Sequence, residues 1–430
     1  MKILNGKKLL LLGSNVGTDD IIKYARANGV YTIVTDYLPF EKSFGKQLAD
    51  ESWDISTADI DTLKSRIIEN NIDGVFAGVG EFNMLKAMEL CHQLGFHFYC
   101  TKGQWDLIEN KESFRKLCEK YNVPSPITYY TGSDFPTSAL NTIKYPVIVK
   151  PVDASSSIGI TICRDEESLK GAIPVALKSS EKGRIIIEEF FEGEEFTAHY
   201  TIVNGKVSLS CIDNRVPVAV HSGSVTTIPV ARVYPSSFIN EYINQVNDKM
   251  IELCESLNLV AGVLFVQGLY NQKQNTFSIF EAGLRCAGEA AYRITERVNG
   301  NNFMNLFVDY ALLGKTDSFR IENDDPFMRG KMCCVTSYVS KGGTIGKIIG
   351  YEDALNTVSS IISSECRYHE GDATPDGDTL RQIVLRFTLV CDSKEQMIKD
   401  IECINKKVIV LNDKGEDMCL KFNARNYYKM

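Results

Sequence analysis

Between Lys111 and Arg285 the chain carries an ordered set of side chains suited to binding phosphates and a divalent cation. Lys111 opens a predicted helix, and Lys150 closes a predicted strand at 145–150, just before Pro151. Two lysines that bracket one ligand can neutralise neighbouring phosphates as compact charges on flexible stems. The loop Asp153-Ala154-Ser155-Ser156-Ser157-Ile158-Gly159 follows. It is small and polar, so its backbone N–H groups can approach a phosphate closely and form an anion nest. Gly159 supplies its one glycine, so the hydroxyls of Ser155, Ser156 and Ser157 share that role. An ordinary hairpin turn is the alternative.

The apolar run Ile185-Ile186-Ile187 ends in Glu188-Glu189-Phe190-Phe191, with Glu195 shortly after. Such a strand offers a wall for a purine ring. Backbone groups near Glu189, Phe190 and Phe191 can pair with its edge, and a later acid can bind ribose hydroxyls. The alternative for each acid is a solvent-facing strand end. Gln267 and Glu281 fall on consecutive predicted strands, a spacing that permits adjacent inward positions in a hairpin. Magnesium takes oxygen ligands and keeps several waters, so one or two protein oxygens plus phosphates suffice. Arg285, just beyond Glu281, can clamp a transferring phosphoryl group; a structural Glu281–Arg285 ion pair is the plain alternative.

These groups need rigid elements to hold them. A length of 430 residues implies two or three domains. In the first hundred residues, predicted strands (Lys8–Leu12, Tyr31–Thr35, 74–77 and 96–99) alternate with helices at 18–28, 62–70 and 82–94. That alternation implies parallel βαβ units and a doubly wound sheet. The elements from 127 to about 196 are short and turn-rich, as in a small α+β subdomain, and 196–320 returns to long apolar strands. The last hundred residues read as a compact α+β module.

Composition narrows the function. The 44% hydrophobic and 24% charged content is that of a soluble globular protein. A net charge of −8 and a pI near 5.4 argue against a general nucleic-acid surface. There is no signal-like core and no apolar run near the ~18 residues of a membrane span. The thirteen cysteines have no C-x-x-C spacing, which suits a reducing compartment and predicts a cytoplasmic protein.

Taken in order, these motifs resemble the ATP-grasp superfamily of ligases. The resemblance covers essentially the whole chain. It implies a pre-ATP-grasp domain at 1–108 with a doubly wound parallel sheet. An ATP-grasp domain at 109–325 follows, built of two α+β subdomains with a lid at about 125–195, and then a C-terminal α+β domain at 326–430. It implies that Lys111, Lys150 and the loop of Ser155, Ser156, Ser157 and Gly159 contact phosphates. Adenine lies against Glu188, Glu189, Phe190 and Phe191, and the ribose on Glu195. Gln267 and Glu281 take magnesium or manganese, and Arg285 the phosphoryl group or acylphosphate. The implied reaction activates a small carboxylate with ATP for attack by an amine.

The family's E-x-N-x-R reads Glu281-Ala282-Gly283-Leu284-Arg285 here, so the asparagine ligand is missing at Gly283, with Glu289 or Glu296 as substitutes. A nucleotide-binding accessory protein is therefore the alternative to an enzyme. Gly13-Ser14-Asn15-Val16-Gly17 with Asp36 invites a dinucleotide reading, but the second fingerprint glycine is Asn15. An acceptor site is preferred there, with Glu81 and Arg215 as substrate contacts. His199 reads as a satisfied histidine rather than a catalyst. The expected partners are small-molecule carboxylate and amine substrates, with neither nucleic acid nor membrane, and a homodimer is the default.

Overall fold

The structure, a computed structural model, describes residues 3–153, 159–221, 227–316 and 318–429. Strands β1 (Lys8–Leu12), β2 (Tyr31–Thr35), β3 (Glu51–Trp53) and β4 (Gly74–Phe76) form a parallel sheet in the order β3-β2-β1-β4. Helices α1 (Thr18–Ala27), α2 (Phe44–Leu48), α3 (Ile60–Glu69) and α4 (Glu81–Leu94) connect and follow these strands. β1, β2 and β4 are buried almost throughout, as expected for continuous apolar runs covered on both faces. Asn15 fixes the turn ahead of α4: its Nδ2 donates to Ala77 O at 2.9 Å and its Oδ1 accepts from Val79 N at 3.2 Å. That turn sets Glu81 at the start of α4.

One expectation in this region needs correction, and one disfavoured reading loses its support. No strand forms at 96–99. Tyr99 is anchored by its side chain instead, stacked on Phe98 at 4.7 Å, packed on Phe307 at 4.6 Å and donating from Oη to Leu284 O at 2.6 Å. The sheet edge is taken by β3, too short for its periodicity to be read. Asp36 is also not open to a ribose: it accepts from Ser43 Oγ at 2.7 Å and Leu38 N at 2.9 Å, and pairs with the buried Lys46 at 3.2 Å.

Helices α5 (Lys102–Glu109) and α6 (Lys111–Lys120) pack together and lead into a second sheet. Its strands are β5 (Thr128–Gly132), β6 (Val147–Pro151), β7 (Thr161–Cys163) and β8 (Ile185–Glu189), antiparallel in the order β5-β8-β6-β7. Helix α7 (Glu166–Lys178) covers one face, burying Val147, Val149, Leu169, Ile185 and Ile187. Strand alternation turns Lys150 and Glu188 to the opposite face.

The third sheet is built from β9 (Glu194–Val203), β10 (Lys206–Ile212), β13 (Ala261–Asn271) and β14 (Thr276–Gly283), with β11 (Asn214–Val218) and β12 (Ile228–Tyr234) between them in the chain. Of these, β10-β9-β13-β14 pair antiparallel. Their outer ends bury an aromatic cluster in which Phe196 packs on Phe238 (5.6 Å), Tyr242 (5.4 Å) and Phe277 (5.8 Å). Gly268 lies under that ring, where a Cβ would come within 2.5 Å of it.

The remaining strands are β15 (Met332–Ser340), β16 (Gly343–Ile349), β17 (Ile361–Cys366), β18 (Ala373–Thr374), β19 (Ile383–Cys391), β20 (Ile409–Asn412) and β21 (Cys419–Leu420). A fourth sheet runs β11-β12-β15-β19-β17, and β18-β16-β20 form a small fifth. A division at 325/326 therefore falls inside one sheet, because β12 is buried along its whole length and pairs with β11 on one side and β15 on the other. Replacing Phe196, 1% exposed, by alanine removes the centre of the aromatic cluster. It should cost about 3–5 kcal/mol of stability, read from urea denaturation.

Candidate active site

The second and third sheets meet around one carboxylate. Glu188, fully buried, accepts from Arg115 Nε at 2.5 Å and from Lys150 Nζ at 3.0 Å. Lys150 and Glu188 are diagonal neighbours across β6 and β8, and Arg115 reaches them from α6. Arg115 Nη2 also donates to Phe280 O at 2.6 Å, and Lys150 Nζ lies 5.7 Å from the Phe280 ring centroid. The second sheet is thereby tied beside Glu281 on β14. Burial would raise the Glu188 pKa, but Lys150 and Arg115 hold it below the usual carboxylate value. Burial lowers the Lys150 pKa against the pull of Glu188, with Arg115 and Lys111 adding repulsion.

Lys111 begins α6, whose N-cap Asn110 accepts from Glu112 N at 3.0 Å and Ser113 N at 3.1 Å. One helical turn separates Lys111 from Arg115, so both present to the lid side. A cation at a helix N-terminus opposes the helix dipole, a cost that a phosphate there offsets.

β13 and β14 put Gln267 directly opposite Glu281. The next pair on that face is Phe265 opposite Gly283. A Cβ at Gly283 would come within 2.4 Å of the Phe265 ring and 3.1 Å of Glu109 Oε1. The missing asparagine is thus a matter of packing: the ring fills its space. The same ring carries the Arg285 guanidinium 5.1 Å above its centroid.

Glu109 was not anticipated, and local pattern offered no signal for it at the end of α5. Its Oε1 accepts from Leu284 N at 3.0 Å. Burial pushes its carboxyl up to about 7, with Arg285 opposing and Glu81 and Glu281 adding repulsion. Glu81, Glu109, Glu281 and Arg285 therefore share one electrostatic neighbourhood. The substitutes suggested for Gly283 are engaged elsewhere: Glu289 pairs with His199 at 2.9 Å, and Glu296 accepts from Asn302 Nδ2 at 2.9 Å.

The donor set at Gln267 and Glu281 is oxygen-rich and suits magnesium or manganese. Among the described residues no group of three or more His, Cys, Asp or Glu side chains could hold a metal ion. A cation held there would need phosphate oxygens and water for the rest of its shell.

Several expected ligand contacts are occupied by the protein itself. Glu189 N donates to Ile127 O at 2.8 Å and Phe190 N to Pro146 O at 3.1 Å, so neither N–H is open to a purine edge. Glu195 and Arg215, expected on ribose and substrate, pair with each other, and Arg215 also donates to Thr227 O at 2.8 Å. Their long side chains meet between β9 and β11, strands of two different sheets. Phe191 is half-buried beyond β8. Gly159 has φ +72° and sits within 2.6 Å of Ser179 at its notional Cβ, so the loop's own geometry requires glycine. Ser155, Ser156 and Ser157 lie outside the described residues. A cleft of about 560 Å³ between α6 and β5 is lined by residues including Glu112, Lys116 and Thr128 and by none of the expected ligand residues.

Set against known proteins, residues 128–220 match the family described as "D-ala D-ala ligase C-terminus". An L-amino acid ligase from Bacillus licheniformis superposes with TM-score 0.77 at 17% identity, over 95% of this chain and 99% of that one. The chain has the ATP-grasp fold. The biotin carboxylase domain of Hydrogenobacter thermophilus 2-oxoglutarate carboxylase, in complex with MgADP, ADP and bicarbonate, superposes with TM-score 0.75 at 15% identity, over 94% of this chain and 90% of that one. In sequence, the formate-dependent phosphoribosylglycinamide formyltransferase of Bacillus subtilis is 27% identical over 205 residues, 46% of this chain and 53% of that protein. The chain spans about half the length of the curated relatives it matches. Among the described residues no helix is long and apolar enough to cross a membrane.

If Phe265 excludes a side chain at 283, Gly283→Asn should lose about 1–3 kcal/mol through overpacking. Adding Phe265→Ala should lower the combined loss below the sum of the two single losses. Urea denaturation of the three variants measures this; strict additivity would contradict the packing account.

Proposed function

We propose that the protein is an ATP-dependent ligase that activates a small carboxylate as an acylphosphate for attack by an amine, releasing ADP and phosphate. The observation that carries this reading is the direct opposition of Gln267 and Glu281, next to a lid held at Phe280 by Arg115 and Lys150. It puts an oxygen-ligand pair and a cationic cluster on facing sheets, the arrangement a triphosphate and its metal need. ATP supplies the phosphoryl group, and bound magnesium or manganese neutralises phosphate charge.

In this reading Lys111 and Lys150 bind phosphates, joined by the loop containing Ser155, Ser156, Ser157 and Gly159. Phe190 and Phe191 wall the adenine. Glu188 is the counter-ion that holds Lys150 in place, and Glu189 closes the strand end. Glu195 turns from Arg215 to the ribose when nucleotide enters. Arg285, stacked on Phe265, steadies the charge that develops on the transferring phosphoryl oxygens. Glu81 and Arg215 face the acceptor. The working division is 1–108, 109–325 with a lid at about 125–195, and 326–430, with β11 and β12 of the middle unit built into the sheet of the last. A cytoplasmic homodimer acting on small molecules completes the reading.

The packing at Gly283 favours one second reading, a nucleotide-binding accessory protein with weakened metal affinity. Arg285→Ala separates the two. Loss of one transition-state donor typically lowers the rate about 10²–10³-fold. ADP release should fall by that order while calorimetric ATP affinity stays within a few-fold of wild type. Unchanged ADP release would remove the role given to Arg285. ATP binding by wild type without ADP release for any amino acid tried would favour the accessory reading.

A further inference from the structure

β14 ends at Gly283, and the chain then turns through 286–291 before the helix Tyr292–Asn299 begins. Arg285 therefore stands outside the sheet ladder. Its Nη1 donates to Cys286 O at 3.2 Å, inside the turn itself, and its Nε has no hydrogen-bond partner. Where the turn lies thus decides where the guanidinium lies over the Phe265 ring. The turn is also strained. Ala290, buried, takes φ +61°, a left-handed conformation that costs energy for any residue with a Cβ. Such a conformation persists where surrounding contacts over-determine it.

Those contacts come directly after Ala290. Tyr292 Oη and Arg293 Nε both donate to Asp20 Oδ2, each at 2.8 Å. Arg293 Nη1 donates to Ser363 Oγ at 2.8 Å and Glu365 Oε1 at 3.1 Å, and Nη2 lies 3.4 Å from Asp19. One guanidinium therefore joins the start of α1, the helix that follows Arg285, and β17. A planar fork of fixed donors can hold three directions at once, and a lysine ammonium on a flexible stem cannot hold them in that geometry. Burial would lower the Arg293 pKa, but Tyr292, Asp20 and Asp19 hold it above the ordinary value. The fit to α1 is close: a Cβ at Gly17, its N-cap, would come within 2.9 Å of Tyr292 Oη.

We propose that Arg293 is a positioning residue, which clamps the strained turn 286–291 against α1 and β17 and so sets the stance of Arg285. The first hundred residues, on which the acceptor was expected, are thereby coupled to the arginine that meets the phosphoryl group. This proposal deepens the ligase reading and rests on it.

Hydrogen exchange read by mass spectrometry tests it on the whole chain. The amides of Arg293 and Ile294 donate to Ala290 O and Ala291 O, each at 3.0 Å, and report on the turn. In Arg293→Gln, exchange at 290–295 should quicken several-fold, while β6 and β8 stay as in wild type. Arg293→Lys should fall between the two. Glycine takes a left-handed conformation without strain, so Ala290→Gly added to Arg293→Gln should recover part of the lost protection. ADP release with ATP, magnesium and a panel of amino acids gives a second readout. Misplacement of a group by about 1 Å can cost about 10²-fold, so kcat should fall steeply in Arg293→Gln while KM for ATP stays within a few-fold. Unchanged exchange at 290–295, or no recovery on adding Ala290→Gly, overturns the proposal. So does a kcat equal to that of wild type. Should Arg293→Gln not fold, Asp20→Ala removes one arm of the clamp and should quicken exchange at the same amides; unchanged exchange there would overturn the proposal equally. Absence of turnover in wild type would count against the ligase reading, and the exchange data can still be read without it.

Discussion

The Glu188 carboxylate, sealed between Arg115 and Lys150, is the interaction on which the rest of the site depends. It ties α6, β6 and β8 together, and through Phe280 O it ties them to β14. One acid and two bases leave a net positive charge in a buried position, with Lys111 adding to it. Removing one member of such a buried pair typically costs about 3–5 kcal/mol, because the survivor is left uncompensated. The second sheet is thus tied to β14 through Arg115, whose guanidinium spans Glu188 and Phe280 O.

On the facing sheet, a choice between two side chains shapes the chemistry. Phe265 and Gly283 occupy the cross-strand position beside Gln267 and Glu281. The ring leaves no room for an amide at 283, but it gives Arg285 a flat surface to stack on. The ring that would crowd a side chain at 283 is the one on which Arg285 stacks. Glu109 brings a carboxylate oxygen to the edge of the space the amide would have filled.

Much of this was legible because it is local. Strand-end lysines, the Gln267–Glu281 hairpin and the βαβ alternation each depend on residues near one another in the chain, where periodicity and turn chemistry act. What escaped is long-range. Arg115 meets Glu188 across 73 positions, and Glu109 meets Leu284 across 175. A helical arginine and a helix-terminal glutamate carry no local mark of such partners. The same holds for β12, whose apolar run specifies a buried strand but not that β15 pairs with it. Glu195 and Arg215, expected on ribose and substrate, carry no local mark of the pair they form with each other. The segment at 96–99 has strand-like composition, but it is anchored by long-range contacts of Tyr99 with Phe307 and Leu284 O that no local pattern marks.

The central claim is that the chain uses ATP to activate a carboxylate. Positional isotope exchange tests it most directly, with ATP labelled by oxygen-18 in the β,γ-bridge, magnesium and a panel of amino acids, and no amine acceptor beyond them. Reversible acylphosphate formation frees the β-phosphate of bound ADP to rotate, so the label should move from bridging to non-bridging positions when a suitable carboxylate is present. ATP that binds but keeps its label in the bridge with every carboxylate, and without ADP release, would contradict the account.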